Sequence, residues 1–339
     1  MRILAGDVGG THTRLIYLDD DAACSGHFQT TFASARYSSL EPIIDEFISR
    51  HAFTLPFDAV SLAVAGPVMS GRAAITNLPW EVSTEMLSKQ LKTKTVYLLN
   101  DLAAAAYALP ILPAEQLVLV NPGAVERPGP QSNAVVVAPG TGLGAAYLAW
   151  LGDRQVVFSS EAGHAGFAPA TAEQEQLLTW MQQQCGRVSV EMLLSGRGIF
   201  MLYRFFRDAL GESESPLVRE QIKRATDPAP VISQHALAAD DPLSVRTLTC
   251  FVEILGSVTG DIALHYFPLD AIYLAGGIVP KIQALLTAQH LLTPLVKKGP
   301  MQTYLERLPV VLITKETAGI DGAVAYARQQ AGLAAGQGS

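Results

Sequence analysis

Two stretches of this chain share one plan. Ile3 to Asp19 and Val135 to Trp150 each read as an apolar run, a loop of glycines and hydroxyls, and a second apolar run, the pattern of strand, loop, strand. In the first loop Gly6, Gly9 and Gly10 let the backbone approach a ligand and expose N–H donors that an anion can use. Thr11 and Thr13 add hydroxyls, and Asp7 can hold a cation that accompanies a phosphate. The loop lacks the Gly-Lys-Ser/Thr ending of a Walker A motif, and a strand rather than a helix follows it. Taken singly, such a loop fits a plain hairpin turn as well as a binding loop. The return of the plan at Pro139-Gly140-Thr141-Gly142-Leu143-Gly144 points to two related lobes, each presenting a loop to a shared ligand.

Between and after the hairpins, strands alternate with helices, which gives an α/β protein. Ser39 is expected to cap a helix running to about Phe53, with Ile43, Ile44, Phe47 and Ile48 on its buried face. Ala59 to Val64 reads as a buried strand, Thr76 to Trp80 as loop, and Ser83 as the cap of a second helix. Thr95 to Leu99 is a strand that delivers Asn100-Asp101 to a helix over Leu102–Leu109, stopped by Pro110. Asn121 to Ser132, with Pro122, Pro128 and Pro130, is a loop by composition. Helices are expected over Glu173–Cys185, from Ser189, over Ile199–Leu210 and over Leu243–Phe267, with Gly211 to Gln234 as an exposed excursion. Ala271 to Ala275 is a strand running into Gly276-Gly277, Val310 to Ile313 an edge strand, and Ala318 to about Gln330 a closing helix before a fraying tail, Ala331–Ser339.

Composition narrows the function classes. With 339 residues and 49% of them hydrophobic, two sizeable cores are available. A net charge of −7 and no Lys/Arg-rich run argue against nucleic acid or an anionic membrane as partner. The first strand begins at once, without a signal-peptide pattern or a DNA-binding domain before it, so a cytoplasmic protein is expected. Cys24, Cys185 and Cys250 are too few and too scattered for a disulfide framework or a zinc knuckle.

These stretches together resemble the bacterial glucokinases of the proteobacterial type, within the hexokinase, actin and Hsp70 superfamily. The resemblance runs to about Gln330 and is carried by Gly6-Asp7-Val8-Gly9-Gly10-Thr11, Asn100-Asp101-Leu102, Gly140-Thr141-Gly142-Leu143-Gly144, Glu161-Ala162-Gly163-His164, Ser195-Gly196 and Leu274-Ala275-Gly276-Gly277-Ile278-Val279-Pro280. It implies a two-lobed, ribonuclease-H-like (actin-like ATPase) α/β fold with glucose and ATP meeting in an interdomain cleft. The smaller lobe would span 1–111 plus 316–339, the C-terminal helix returning to it, and the larger 112–315. Relatives of this kind are often homodimers, which makes a second copy of the chain an implied partner. The related ROK sugar kinases carry a cysteine-rich zinc motif after a Gly-His pair, and none follows Gly163-His164.

The resemblance also implies roles. Asp101 would be the general base, since phosphoryl transfer needs a base near the accepting hydroxyl and otherwise alignment and charge neutralisation. Asn100, Asp101, Glu161, His164 and Glu191 would hold the sugar hydroxyls. Gly6, Asp7, Val8, Gly9, Gly10 and Thr11 would meet ATP from one lobe and Gly140, Thr141 and Gly142 from the other, with Gly276 and Gly277 along the adenosine. Asp7 would reach Mg²⁺ through water, and His12 carries no role. Each site residue also has a structural reading: Asn100 or Asp101 as a helix cap, Glu191 as a favourable acid in a first helical turn, His164 as a turn residue, and Gly276-Gly277 as a helix-entry turn. The alternatives are a kinase for another hexose, such as mannose or N-acetylmannosamine, a sugar-sensing regulator, and a chaperone or filament-forming ATPase, which would lack the sugar-contact set.

Overall fold

The computed structural model describes the chain apart from residues 20–25, 125–128, 130, 316–317 and 337–339. Cys24, Pro128, Pro130 and the last three residues of the tail lie outside the described residues. The chain divides into two compact units, Met1–Leu112 with Trp150–Ser159 and Lys315–Ser339, and Pro113–Ala149 with Ser160–Thr314. Trp150–Ser159, within the span 112–315 expected for the larger lobe, thus groups with the first unit, where the Gln155 backbone exchanges two hydrogen bonds with the Gln329 side chain, each 3.0 Å.

The first unit is built on β1 (Arg2–Val8), β2 (His12–Asp19) and β3 (Gly26–Ala33), followed by α1 (Glu41–His51) and β4 (Ala59–Val64). Three short strands, β5 (Val68–Met69), β6 (Arg72–Ala74) and β7 (Glu81–Ser83), make a small separate sheet before α2 (Thr84–Leu91), β8 (Val96–Asn100) and α3 (Asp101–Ala108). Among the described residues the main sheet has the order β3-β2-β1-β4-β8, antiparallel from β3 to β1 and parallel from β1 to β8. All six residues of β4 are buried, as a central strand covered on both faces requires. One face packs on Leu15, Phe32, Ile43, Ile44, Phe47 and Trp80. The other, lined by Ile3, Ala5, Ala59, Ala63 and Ala104, receives Ala323 and Ala327 of the C-terminal helix, Ala318–Gly336. Small residues on both sides let the helices approach closely: a Cβ at Gly322 would stand 1.5 Å from the Ala104 carbonyl oxygen.

Three expectations change in this unit. Ser39 does not cap α1: the N-cap is Leu40, without a side-chain hydrogen bond, and Pro42 in the first turn fixes the start instead. Strand β3, which alternation did not reveal because His27, Gln29, Thr30 and Thr31 make it polar, pairs along the whole of β2. The closing helix continues past Gln330 to Gly336. Ser83 does cap α2, accepting from Met86 N–H at 3.2 Å.

The second unit repeats the sheet plan. The six-stranded sheet is made of β9 (Leu117–Asn121), β10 (Ala134–Pro139), β11 (Leu143–Leu151), β12 (Arg154–Ser160), β13 (Ala271–Leu274) and β14 (Val310–Ile313), in the order β12-β11-β10-β13-β14-β9, with the end of β11 and nearly all of β12 in the stretch Trp150–Ser159 that groups with the first unit. The β10–β11 pair is antiparallel and β10, β13 and β14 are parallel, as in the first unit, with β9 added antiparallel on β14. Val310–Ile313 is therefore an interior strand: β9 covers the edge it was expected to form.

The longer helices of this unit are α4 (Ala172–Cys185), α5 (Gly196–Arg204), α6 (Pro216–Arg224), α7 (Pro228–Ala238) and α8 (Pro242–His265). Helix α8 is long and apolar enough to cross a membrane by length and composition, but 78% of its apolar window is buried inside the unit. Helices α6 and α7 replace the expected exposed excursion. Pro216 and Pro228 stand at helix starts, where the missing N–H costs nothing, and Asp227 caps α7 through Ala229 N–H at 3.1 Å. Val218, Ile222 and Ile232 bury this segment in the core.

Candidate functional site

In the first unit the glycine loop is the tip of the β1–β2 hairpin. Gly9 N–H donates to His12 C=O at 3.0 Å, closing the turn. Ser34, just past β3, buttresses it: its Oγ donates to Gly9 C=O at 2.8 Å, its N–H donates to Thr11 C=O at 3.0 Å, and it shares a 3.0 Å hydrogen bond with the buried Thr13 hydroxyl. Gly10 is required by close approach, because a Cβ there would stand 2.8 Å from the Thr76 carbonyl oxygen. Gly6 and Val8 lie buried in β1, with the Leu15 side chain filling the place of a Gly6 side chain. Thr11 and His12 are exposed at the tip.

Asp7 stands opposite Arg14 in the hairpin register, with Arg14 Nη1 3.4 Å from its Oδ2. Burial pushes the Asp7 carboxyl above the usual carboxylate range; Arg14 opposes the shift and the nearby charge of Asp101 adds to it. Asp7 and Asp101 thus repel one another within the same region of the first unit. Asp101 opens α3 with its side chain reaching solvent, yet the protein crowded around its carboxyl also raises its pKa, against hydrogen bonds from Leu102 N–H and Asn100. Its Oδ1 accepts from Leu102 N–H at 2.8 Å.

The capping role falls to Asn100, whose Oδ1 accepts from Leu102 and Ala103 N–H at 3.1 and 3.3 Å while its Nδ2 donates to Gly66 C=O at 3.2 Å. The amide is thereby fixed in place at the end of β8.

In the second unit the matching loop is the β10–β11 tip. Gly140 N–H donates to Gly142 C=O at 2.7 Å, and Gly140 C=O accepts from Gly196 N–H at 2.9 Å, at the start of α5, which Ser195 caps through Gly198 N–H at 3.1 Å. Glu191 reaches this loop: its Oε2 accepts from Leu143 N–H at 3.0 Å and lies 2.3 Å from where a Gly142 Cβ would stand. Thr141 is exposed at the tip.

Glu161 and His164 flank a short helical turn, both exposed, with His164 Nε2 3.9 Å from Glu161 Oε2. That turn is tied to the chain before Glu191. Val190 N–H donates to Ala165 C=O and Phe167 N–H to Val188 C=O, both at 3.0 Å, and Arg187 Nη2 donates to His164 C=O at 2.7 Å. Gly163 packs on the phosphate-type loop, since a Cβ there would stand 2.3 Å from the Leu143 carbonyl oxygen. Gly276, at φ +88°, abuts the Pro139 carbonyl, whereas the space beside Gly277 is open.

The structure thus brings together Asp7, Gly9, Gly10, Thr11, Asn100 and Asp101 in the first unit. In the second it groups Gly140, Thr141, Gly142, Glu161, His164 and Glu191, with Gly276 and Gly277 beside the stem of that loop. Supporting residues that pattern reading missed are Arg14, Ser34, Thr76 and Arg187. Only Arg14 had a sequence signal, its place across the short hairpin from Asp7.

Comparison with known proteins bears on what these two groups do. The glucokinase family model matches residues 4–330. The glucokinase of Nostoc punctiforme is 35% identical over 335 residues, covering 95% of this chain and 97% of its own. The crystal structure of a glucokinase from an Antarctic psychrotroph superimposes with a TM-score of 0.82 at 32% identity, covering 96% of this chain and 98% of that one. A ROK family glucokinase from Streptomyces griseus, solved with glucose and AMPPNP, shares the fold with a TM-score of 0.60 at 19% identity, over 97% of this chain and 100% of that one.

Proposed function

The chain belongs to the glucokinase family and so transfers a phosphoryl group from ATP to glucose, and we propose that Asp101 is the general base of that reaction. The observation that carries the reading is the position of Asp101 at the end of β8, at the exposed start of α3, with a raised carboxyl pKa. A carboxylate whose pKa is raised is a better proton acceptor than an ordinary one. The proton of the sugar 6-hydroxyl passes to the Asp101 carboxylate as that oxygen attacks the terminal phosphorus of ATP, and the bond to the ADP oxygen breaks in line.

The other assignments belong to the same proposal. Asn100, Asp101, Glu161, His164 and Glu191 accept and donate hydrogen bonds at the sugar ring, and Asn100 is suited to this by a fixed amide. Asp7, Gly9, Gly10 and Thr11 with Gly140, Thr141 and Gly142 contact the phosphates, whereas Gly6 and Val8, expected to join them, are buried in β1 and paired with β2 and β4 on either side, so they hold the loop from behind. Open space beside Gly277 suits the adenosine. The glucose and AMPPNP in the Streptomyces griseus protein support this choice of ligands. That they are held in an interdomain cleft of a ribonuclease-H-like fold, in a cytoplasmic homodimer, rests on the family resemblance.

Mg²⁺ fits the donor chemistry at Asp7. Two carboxylates, Asp7 and Asp101, repel one another there, and oxygen donors of this kind suit a cation that keeps its waters and shares phosphate oxygens. Asp7 would hold the ion, through water, and the ion would supply neutralisation of the phosphate charge.

A kinase for another hexose is the second reading, favoured by the exposure of Glu161 and His164, whose placement decides which hydroxyl stereochemistry is accepted. A coupled ADP-release assay over glucose, mannose and N-acetylmannosamine, with a sugar-free blank, tests it. Highest kcat/KM with glucose and a blank at least about 10³-fold slower are expected; a faster turnover of another hexose would reassign the substrate.

A further inference from the structure

The second unit holds a contact that the roles above leave unused. Glu191, counted among the sugar contacts, has one carboxylate oxygen committed to the phosphate-type loop: Oε2 accepts from Leu143 N–H at 3.0 Å. The seat is shaped for it, because at Gly142 any Cβ would lie 2.3 Å from that oxygen and 2.8 Å from the carboxyl carbon. Leu143 is also met by the turn carrying Glu161 and His164, where Gly163 lies against the Leu143 carbonyl. The turn is also tied to the segment leading to Glu191, since 187–190 are hydrogen-bonded to 164–167 at Arg187–His164, Val190–Ala165 and Phe167–Val188. The Leu143 peptide groups are therefore gripped by two elements that both carry proposed sugar contacts.

We propose that Glu191 is a positioning residue for the 140–144 loop: it fixes the loop through Leu143 N–H with one carboxylate oxygen and faces the sugar with the other, so that glucose occupancy sets the loop's grip on ATP. This rests on the reading that places glucose at Glu161, His164 and Glu191 and phosphates at Gly140–Gly142. A carboxylate free to swing holds the loop loosely. A sugar hydroxyl donating to Oε1 immobilises the carboxylate, and the loop N–H groups are then preorganised for the phosphates. By linkage, ATP must tighten glucose by the same factor.

The test is calorimetric titration of AMPPNP with Mg²⁺ into the full-length protein, without glucose and at saturating glucose, and of glucose alone into the same samples. For the unaltered protein, glucose is expected to tighten AMPPNP by about 5-fold or more. Glu191→Ala should bring that ratio to within about 2-fold of unity and weaken AMPPNP. Glu191→Gln keeps an oxygen for Leu143 N–H and presents an NH2 that can donate to a sugar hydroxyl in place of the accepting Oε1, so it should retain part of the coupling, above that of Glu191→Ala. Gly142→Ala provides a second route, displacing the flexible carboxylate while leaving Glu191 in the chain, and should also abolish the ratio. Coupling that survives in both Glu191→Ala and Gly142→Ala overturns the proposal, as does a ratio of one in the unaltered protein. Tighter AMPPNP binding by Glu191→Ala overturns it too, since Glu191 would then repel phosphate rather than brace the loop. Glucose affinity reports separately on the sugar site: weakened glucose binding by Glu191→Ala with coupling intact in both variants leaves the sugar-contact reading standing and overturns only the brace.

Discussion

Gly322→Ala should damage both stability and catalysis, although alanine is the better helix former. The residue sits in the C-terminal helix where it crosses α3, and an added Cβ would lie 1.5 Å from the Ala104 carbonyl oxygen and 2.4 Å from its carbonyl carbon. A comfortable carbon-to-oxygen contact is about 3.3 Å, so the two helices must part by about 2 Å. The obstacle is main chain on both sides, which puts the overpacking penalty near the upper end of its usual range, about 3 kcal/mol. The helix-propensity gain of alanine over glycine offsets about 1 kcal/mol. A net loss of about 2 kcal/mol lowers the melting temperature of a unit of this size by about 4 to 8 °C. Because Asp101 begins the displaced α3, a shift of about 1 Å in its carboxylate should also lower kcat by about 10²-fold. Differential scanning calorimetry and steady-state kinetics read the two effects. Gly332→Ala is the control: it lies in the same helix, exposed, with nothing within 4 Å of an added Cβ, and should be neutral or slightly stabilising. A Gly322→Ala protein that melts at or above the parent temperature with normal turnover would refute the claim that this crossing positions the base.

Three further outcomes are expected. Glu161→Gln should raise the glucose KM about 10-fold or more through loss of a charge-assisted hydrogen bond of about 1.5 to 3 kcal/mol, and an unchanged KM would remove Glu161 from the sugar site. Ser34→Ala leaves the fully buried Thr13 hydroxyl without its partner and should destabilise the first unit by about 1 to 3 kcal/mol in urea denaturation while raising the KM for ATP; an unaffected KM would show that the Gly9 loop needs no buttress. The raised carboxyl pKa of Asp7 gives a pH signature: the folded protein binds the proton at a higher pH than the unfolded chain does, so this carboxylate's burden on stability is present at neutral pH and lifts as pH falls through the raised value. Asp7→Asn should therefore raise the melting temperature at pH 7, with the gain shrinking toward pH 4; a gain that grows on acidification would reverse the sign of the shift.

The frame of the molecule was legible because its signals are local. Glycines between two apolar runs mark each hairpin tip, and the repeated plan reappears as the same strand order around β1 and β10. The glucokinase resemblance that the motifs suggested is to the family whose model residues 4–330 match. What could not be read depended on distant partners. Val310–Ile313 looked like an edge because β9 joins it from nearly two hundred residues earlier in the chain. Residues 211–234 looked exposed because Pro216 and Pro228 are breakers in a helix interior and starters at its first turn, and only packing tells which. The Asn100-Asp101 pair was ambiguous between cap and site. Asn100 takes the cap, while the neighbouring carboxylate, held by the first turn's N–H at Leu102 and by Asn100, reaches solvent at the start of α3. The hold of Glu191 on Leu143 spans 48 residues and left no trace in the sequence.

The assignment of Asp101 is tested most directly by Asp101→Asn, with kcat measured by rapid-quench single turnover and glucose affinity by calorimetry on the same preparation. A base acts in the transition state, and the amide keeps the shape and most hydrogen bonds of the carboxylate, so kcat should fall about 10² to 10⁴-fold while the glucose Kd changes less than about 5-fold. The acid limb of kcat/KM, displaced upward in the parent protein by the raised carboxyl pKa, should vanish from the residual activity. A variant that turns over within about 3-fold of the parent rate, or keeps the same acid limb, would show that another group takes the proton.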